Sequence, residues 1–150
     1  MMNTHTAQAV LEDLDDPVRA EAPPRWDRRA AETTFVALAQ ALEQRLGYQC
    51  AYETGAFIQD ASFHGQLRLP RELLTDEYIV QLRASNFGNL ATIYDDDTVV
   101  KQDARATIAS TLAEFGYIYV PSDVLNIPYT GRNPGVSGFE TWGERFFDWI

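Results

Sequence analysis

Between residues 28 and 46, Phe35, Leu38, Leu42 and Leu46 recur every three or four positions, the spacing of an amphipathic helix. Asp27 stands where a side-chain oxygen can accept from the first unpaired backbone N–H groups, and Gly47 follows the last apolar position. Such a cap and such a left-handed terminator mark the two ends of a helix, so a core helix is predicted from about Arg28 to Leu46. The period then drops to two, as in half-buried strands. Tyr48, Cys50 and Tyr52 alternate with Gln49, Ala51 and Glu53, with Cys50 expected on the core face between the two tyrosines. Thr54-Gly55 reads as a turn into residues 56–59. Phe63, Gly65, Leu67 and Leu69 then alternate with His64, Gln66 and Arg68, and Pro70 ends the run. Residues 78–83 and 90–94 read as two further strands, joined by the turn-prone Ser85-Asn86-Phe87-Gly88-Asn89. Four short strands with no helix between them predict an antiparallel meander.

A second helix is predicted over about 101–115, with Ala104, Ile108, Leu112 and Phe115 as its buried stripe and Gly116 closing it. Residues 117–120 make a last short strand, stopped at Pro121. The stretch 121–139 carries three prolines and three glycines and reads as an ordered, turn-rich loop. Thr141-Trp142-Gly143-Glu144 fits a capping box opening a short C-terminal helix. At the other end, Asp15, Asp16, Pro17, Glu21, Pro23 and Pro24 punctuate residues 1–26, which read as a loosely held acidic arm with only a helical hint at residues 9–14. The expected architecture is one α+β domain over 27–150. Its sheet is mostly antiparallel, of four to five strands, with helices packed on one face, in the order α-β-β-β-β-α-β-α.

Composition bounds the function. The 150 residues suit one domain large enough to bury a core. No apolar run approaches the ~18 residues of a membrane span, and the acidic opening stretch lacks the pattern of an export signal, so a cytoplasmic protein is expected. With 22 acidic and 12 basic side chains the net charge is −10, and Lys101 is the only lysine beside eleven scattered arginines. That balance disfavours nucleic acid and anionic membranes, and favours solubility or a basic protein partner.

Candidate chemistry is sparse. His64 is expected as an exposed strand histidine, and Cys50 as a small buried hydrophobe with no cation to lower its pKa. Asp95, Asp96 and Asp97 form the densest charge cluster. They could hold a hard cation, but their spacing is not that of a calcium loop, and no metal or other cofactor is expected. A solvated corner, or a contact for basic residues of a protein partner, accounts for them better. No phosphate loop, dinucleotide fingerprint, nucleophile elbow or zinc motif occurs. Trp142, Phe146 and Trp149 share one helical face completed by Ile150, while Phe147 points elsewhere and Arg145 sits among them. This helix is expected to dock on the sheet. If one ring stays exposed, it should be Phe147 or Trp142, and aromatics with arginine are residue types that anchor interfaces. The partner-binding candidates are therefore Asp95, Asp96, Asp97, Trp142, Arg145 and Phe147.

Over roughly residues 78–150, four segments set a pattern: Asn86-Phe87-Gly88-Asn89, Gly116-Tyr117-Ile118-Tyr119-Val120-Pro121, Pro128-Tyr129-Thr130-Gly131, and the closing Thr141-Trp142-Gly143-Glu144-Arg145-Phe146-Phe147-Asp148-Trp149. In this pattern the chain resembles the small bacterial immunity proteins that neutralise polymorphic or contact-delivered toxins. The resemblance implies a tight 1:1 complex with a cognate toxin domain in the cytoplasm, and no catalysis. By analogy the toxin would be basic and nuclease-like. The competing expectations are an adaptor or subunit of a larger assembly using the C-terminal aromatic helix, and a metal-dependent hydrolase using Asp95 to Asp97.

Overall fold

In a computed structural model, residues 4–15, 26–55, 63–76, 79–94, 97–131 and 140–147 are described. They run α1 (Thr4–Leu14), α2 (Arg28–Leu46), β1 (Tyr52–Glu53), β2 (Gln66–Arg68), β3 (Gln81–Ala84), β4 (Leu90–Tyr94), α3 (Gln102–Glu114), β5 (Ile118–Tyr119), α4 (Ser122–Leu125) and α5 (Trp142–Phe147). Short 3₁₀ turns lie at Arg71–Leu73 and Asp97–Val99.

The long helices form where their stripes lie. Asp27 Oδ1 accepts from the backbone N–H of Arg29 at 3.0 Å and of Ala30 at 3.2 Å, satisfying two donors the first turn leaves open. Phe35, Leu38, Ala39 and Leu42 of α2 are buried, and Gly47 caps its end in the left-handed region. In α3 the buried residues are Ala104, Ile108, Thr111 and Leu112. Both helices pack on the sheet face carrying Leu67, Leu82, Ala84, Ala91 and Ile93, which forms the first core.

The sheet order is β1-β2-β3-β4-β5. β1–β2, β2–β3 and β3–β4 are antiparallel, but β4–β5 is parallel, with Leu90 opposite Ile118 and Ala91 opposite Tyr119. The sheet is therefore mixed, which corrects the expected mostly antiparallel arrangement. The reason lies between the strands. α3 carries the chain back along the sheet, so the strand after it runs the same way as the strand before it. The strands are also shorter than their alternation suggested. Between Tyr48 and Tyr52 only Cys50 turns inward, and both tyrosines are exposed. Residues 56–59, into which the Thr54-Gly55 turn was expected to lead, lie outside the described residues.

Helices cover both faces of the sheet, not one. A second core joins α1, α4 and α5 to Phe87, Leu90 and Val120. β4 sits between the two cores and is buried at Leu90, Ala91, Thr92 and Ile93 in succession, the mark of a strand covered on both sides. The element order also gains α1 and α4 over the expected one.

Within the stretch expected as an arm, Thr4–Leu14 form α1. Ala7 and Leu11, one helical turn apart, are fully buried in the second core, with Val10 and Leu14 beside them. Residues 16–25 lie outside the described residues. α5 docks beside α1. The ring of Trp142 stacks on Phe146 at 6.2 Å between centroids, and Phe87 meets Phe146 at 5.1 Å. Gly143 permits this seat, since a Cβ there would lie 3.0 Å from the Leu125 carbonyl oxygen. Among the described residues no helix is long and apolar enough to cross a membrane.

Because Phe146 is fully enclosed, Phe146→Ala should lower the unfolding free energy by about 3–5 kcal/mol. The check is a shift of the urea midpoint at unchanged slope. A loss below about 1 kcal/mol would show that α5 only rests on the surface, as exposed substitutions do.

Candidate functional site

Strand register sorts the sheet's second face into rows. Glu53 pairs with Gln66, Gln66 with Arg83 and Arg83 with Thr92. The next row is Arg68, Gln81 and Tyr94. Residues directly opposite share a face, so these polar side chains stand together, back to back with the apolar row of Leu67, Leu82 and Ile93. α4 and α5 cover the β4–β5 side of this face. Over β2, β3 and the end of β4 they leave a groove of about 700 Å³, floored by Gln66, Gln81, Arg83 and Tyr94. Its wall comes from Ser122, Leu125 and Asn126 of the α4 turn, and from Thr141, Gly143, Glu144 and Phe147.

The floor is held in place by its own contacts. The Arg83 guanidinium lies 4.0 Å from the centroid of the Tyr94 ring, the diagonal neighbour on the adjacent strand, an attraction between cation and ring quadrupole. Its Nε and Nη2 donate to Gln81 Oε1 at 3.3 and 3.1 Å. Gln66 Nε2 donates to Glu53 Oε2 at 2.9 Å. On the wall, Thr141 Oγ1 accepts from the Glu144 backbone N–H at 3.2 Å. The Glu144 carboxylate accepts from the backbone N–H of Glu140 at 2.6 Å, one residue before the usual capping-box position. Two apolar groups edge the floor. Tyr94 is 45% exposed, and Ile79, two residues before Gln81 and so on the same side by alternation, is 62% exposed. The site offers fixed amide, guanidinium and phenol groups beside exposed apolar surface.

The predicted partner-binding residues scatter. Trp142 and Arg145 are buried, and Phe147 is 4% exposed with an edge on the groove. The six-residue helix packs into the second core and turns Trp142, Arg145, Phe146 and Phe147 inward, with Phe147 keeping an edge on the groove. Arg145 Nε instead meets Asp15 Oδ1 at 3.0 Å, with both side chains fully buried. Asp97 is half-buried at the end of the sheet, and its Oδ2 accepts from the Tyr119 hydroxyl at 2.8 Å. Burial, with Asp97 adding to it, raises the Tyr119 phenol pKa above its ordinary value. Asp95 and Asp96 lie outside the described residues.

His64 is 1% exposed, which overturns its expected place on an open strand face. Gly55 covers it, so closely that a Cβ there would lie 2.6 Å from the His64 Cβ. Cys50 is buried as expected. Its backbone N–H donates to Glu43 Oε1 at 2.9 Å, and burial, with the Glu43 charge, pushes the thiol up to about 11. Among the described residues no group of three or more His, Cys, Asp or Glu side chains is placed to hold a metal ion.

The groove residues Gln66, Gln81, Arg83 and Tyr94 were not singled out from the sequence. Their signal was present as the polar partners of each alternating strand, but only register shows that they align. In comparison with known proteins, no family matches the chain, and no curated protein or solved structure is significantly similar to it.

The Cys50 thiol carries a pH prediction. Its folded pKa of about 11 lies above the ordinary 9.0. The stability it contributes is thus complete below pH 9 and lost as pH rises toward 11. Wild type should therefore lose more stability between pH 9 and 10.5 than Cys50→Ala does, measured by urea unfolding. Parallel declines would contradict the assignment.

Proposed function

We propose that this chain is a binding protein that neutralises a cognate toxin domain by covering its active site, an immunity-type inhibitor acting in a 1:1 complex. The observation that carries this reading is the open, polar sheet face. Exposed Tyr94 stands against a preorganised arginine there, beside a groove able to take a projecting loop, and exposed Ile79 lies two residues before Gln81 in the chain. Tyrosine and arginine dominate the energy of protein interfaces, since each brings a large contact area at small entropic cost. The stacking of Arg83 on Tyr94 meets part of that cost in advance, because the ordered pair has less freedom to lose on binding. Charge supports the same reading. A net charge of −10, with Asp97 at the end of the sheet, would steer a basic, nuclease-like domain toward this protein and raise its association rate.

In this mechanism the partner's loop fills the groove while carboxylates around it face the partner's basic surface. Inhibition is by occlusion and needs no cofactor and no bond-making step. An adaptor role built on the C-terminal aromatic helix is less well supported, since that helix spends its aromatic rings on the second core.

The test is co-expression with the toxin domain encoded beside this gene. A 1:1 complex should elute in size exclusion, and its association should slow as salt rises. Tyr94→Ala should weaken it by about 2 kcal/mol, roughly thirtyfold in Kd, without unfolding the protein. Absence of any complex at micromolar concentration would sink the inhibitor reading. A complex indifferent to Tyr94→Ala would place docking on another surface.

A further inference from the structure

We infer that α1 is a strap that sets the position of α5, the wall of the groove, through the buried contact between Asp15 and Arg145. α5 has two working sides. Gly143, Glu144 and Phe147 line the groove, whereas Trp142, Arg145 and Phe146 turn into the second core. The two sides belong to six residues, too few to form a stable helix without outside contacts. Whatever holds Arg145 therefore positions Glu144 and Phe147 as well.

Arg145 is held from α1. Its Nε donates to Asp15 Oδ1 at 3.0 Å, and its guanidinium lies 4.7 Å from the Phe87 ring centroid and 5.5 Å from that of Phe146. The Tyr129 hydroxyl hydrogen-bonds to Asp15 Oδ1 at 2.9 Å and Oδ2 at 2.8 Å, so the chain leading from α4 joins the same carboxylate. Asp15 directly follows the last residue of α1, and α1 itself is seated by Ala7 and Leu11. Taking away that carboxylate removes a fully buried ion-pair partner from a charge set among aromatic rings, and moving Arg145 toward water relieves the loss. α5 moves with it. Nearby, the Trp142 Nε1–H is buried without a hydrogen-bond partner among the described residues. Engaged and released states of α1 thus correspond to a fixed and a displaced groove wall. If the groove is the docking site proposed above, linkage makes the effect reciprocal: a partner seated there protects α1, and displacement of α1 weakens the partner.

The strap is tested on the isolated protein, so its failure is separate from failure of the docking reading. Hydrogen exchange followed by mass spectrometry compares wild type, Asp15→Asn and the milder Tyr129→Phe, with Leu42→Ala as a first-core control. In Asp15→Asn the amides of Trp142–Phe147 and of Thr4–Leu14 should exchange at least tenfold faster together, while those of Arg28–Leu46 keep their protection. Tyr129→Phe should give the same pattern at smaller amplitude, which preserves the test if Asp15→Asn does not fold. Leu42→Ala should instead expose Arg28–Leu46. Spin labels at the exposed positions 68 and 140 should report a longer, broader distance distribution in the Asp15 and Tyr129 variants. Faster exchange confined to α1, with the 68–140 distances unchanged, would overturn the strap. So would a uniform rise over the whole chain.

Discussion

A fully buried ion pair holds the second half of this fold together. An aspartate just past the C-terminal end of a helix faces the negative pole of the helix dipole, so Asp15 is badly placed for α1 alone. Burying a carboxylate and a guanidinium is costly for each, and the cost is offset only where geometry and extra hydrogen bonds are good. Here they are. Arg145 meets one carboxylate oxygen, Tyr129 bonds to both, and two aromatic rings flank the cation. Gly131 completes the arrangement, because a Cβ at that position would collide with the Asp15 carboxylate and the Tyr129 ring.

The pair sits in one of two cores that flank a single sheet. The first is apolar throughout its buried cluster, built by α2 and α3 on the row of Leu67, Leu82 and Ile93. The second is smaller and surrounds a charge pair, and among the described residues it leaves the Trp142 indole N–H without a hydrogen-bond partner. An unsatisfied buried donor costs about 1–3 kcal/mol. The groove lies beside the second core, so its wall rests on the more polar of the two. Its floor belongs to strands whose opposite face is the first core, and is the steadier side.

How far the sequence reveals this depends on the range of the interaction. α2 and α3 were legible because stripe, cap and terminating glycine are all local: Phe35, Leu38 and Leu42 with Asp27 and Gly47 in one case, Ala104, Ile108 and Leu112 with Gly116 in the other. The parallel pairing of β5 was inferable from strand–helix–strand order, but the meander before it drew attention to antiparallel neighbours. α1 was mostly hidden because only Ala7 and Leu11 are fully enclosed, with Val10 and Leu14 half-buried beside them, and nearby carboxylates mask so short a stripe. Asp15 looked like a solvated charge because its partner lies 130 residues away. The C-terminal rings were correctly expected to dock. That Trp142 and Phe147 would both be buried was not legible, because nothing local shows that α1 encloses the second core. The groove floor needed register: Gln66, Arg83 and Tyr94 are ordinary strand residues until β2, β3 and β4 are aligned.

The separation of Asp15 from Arg145 also has a temporal side. A ribosome adds about 5–20 residues per second, so some 6 to 26 s, roughly, pass between the making of Asp15 and the making of the arginine 130 positions later. Throughout that interval α1, at 11 residues, is too short to persist as a helix by itself, and its apolar side has no finished surface to cover. The first core can assemble from residues already made, whereas the second must wait for α5. Of the two segments this pair joins, the one made first therefore waits longest for its contact.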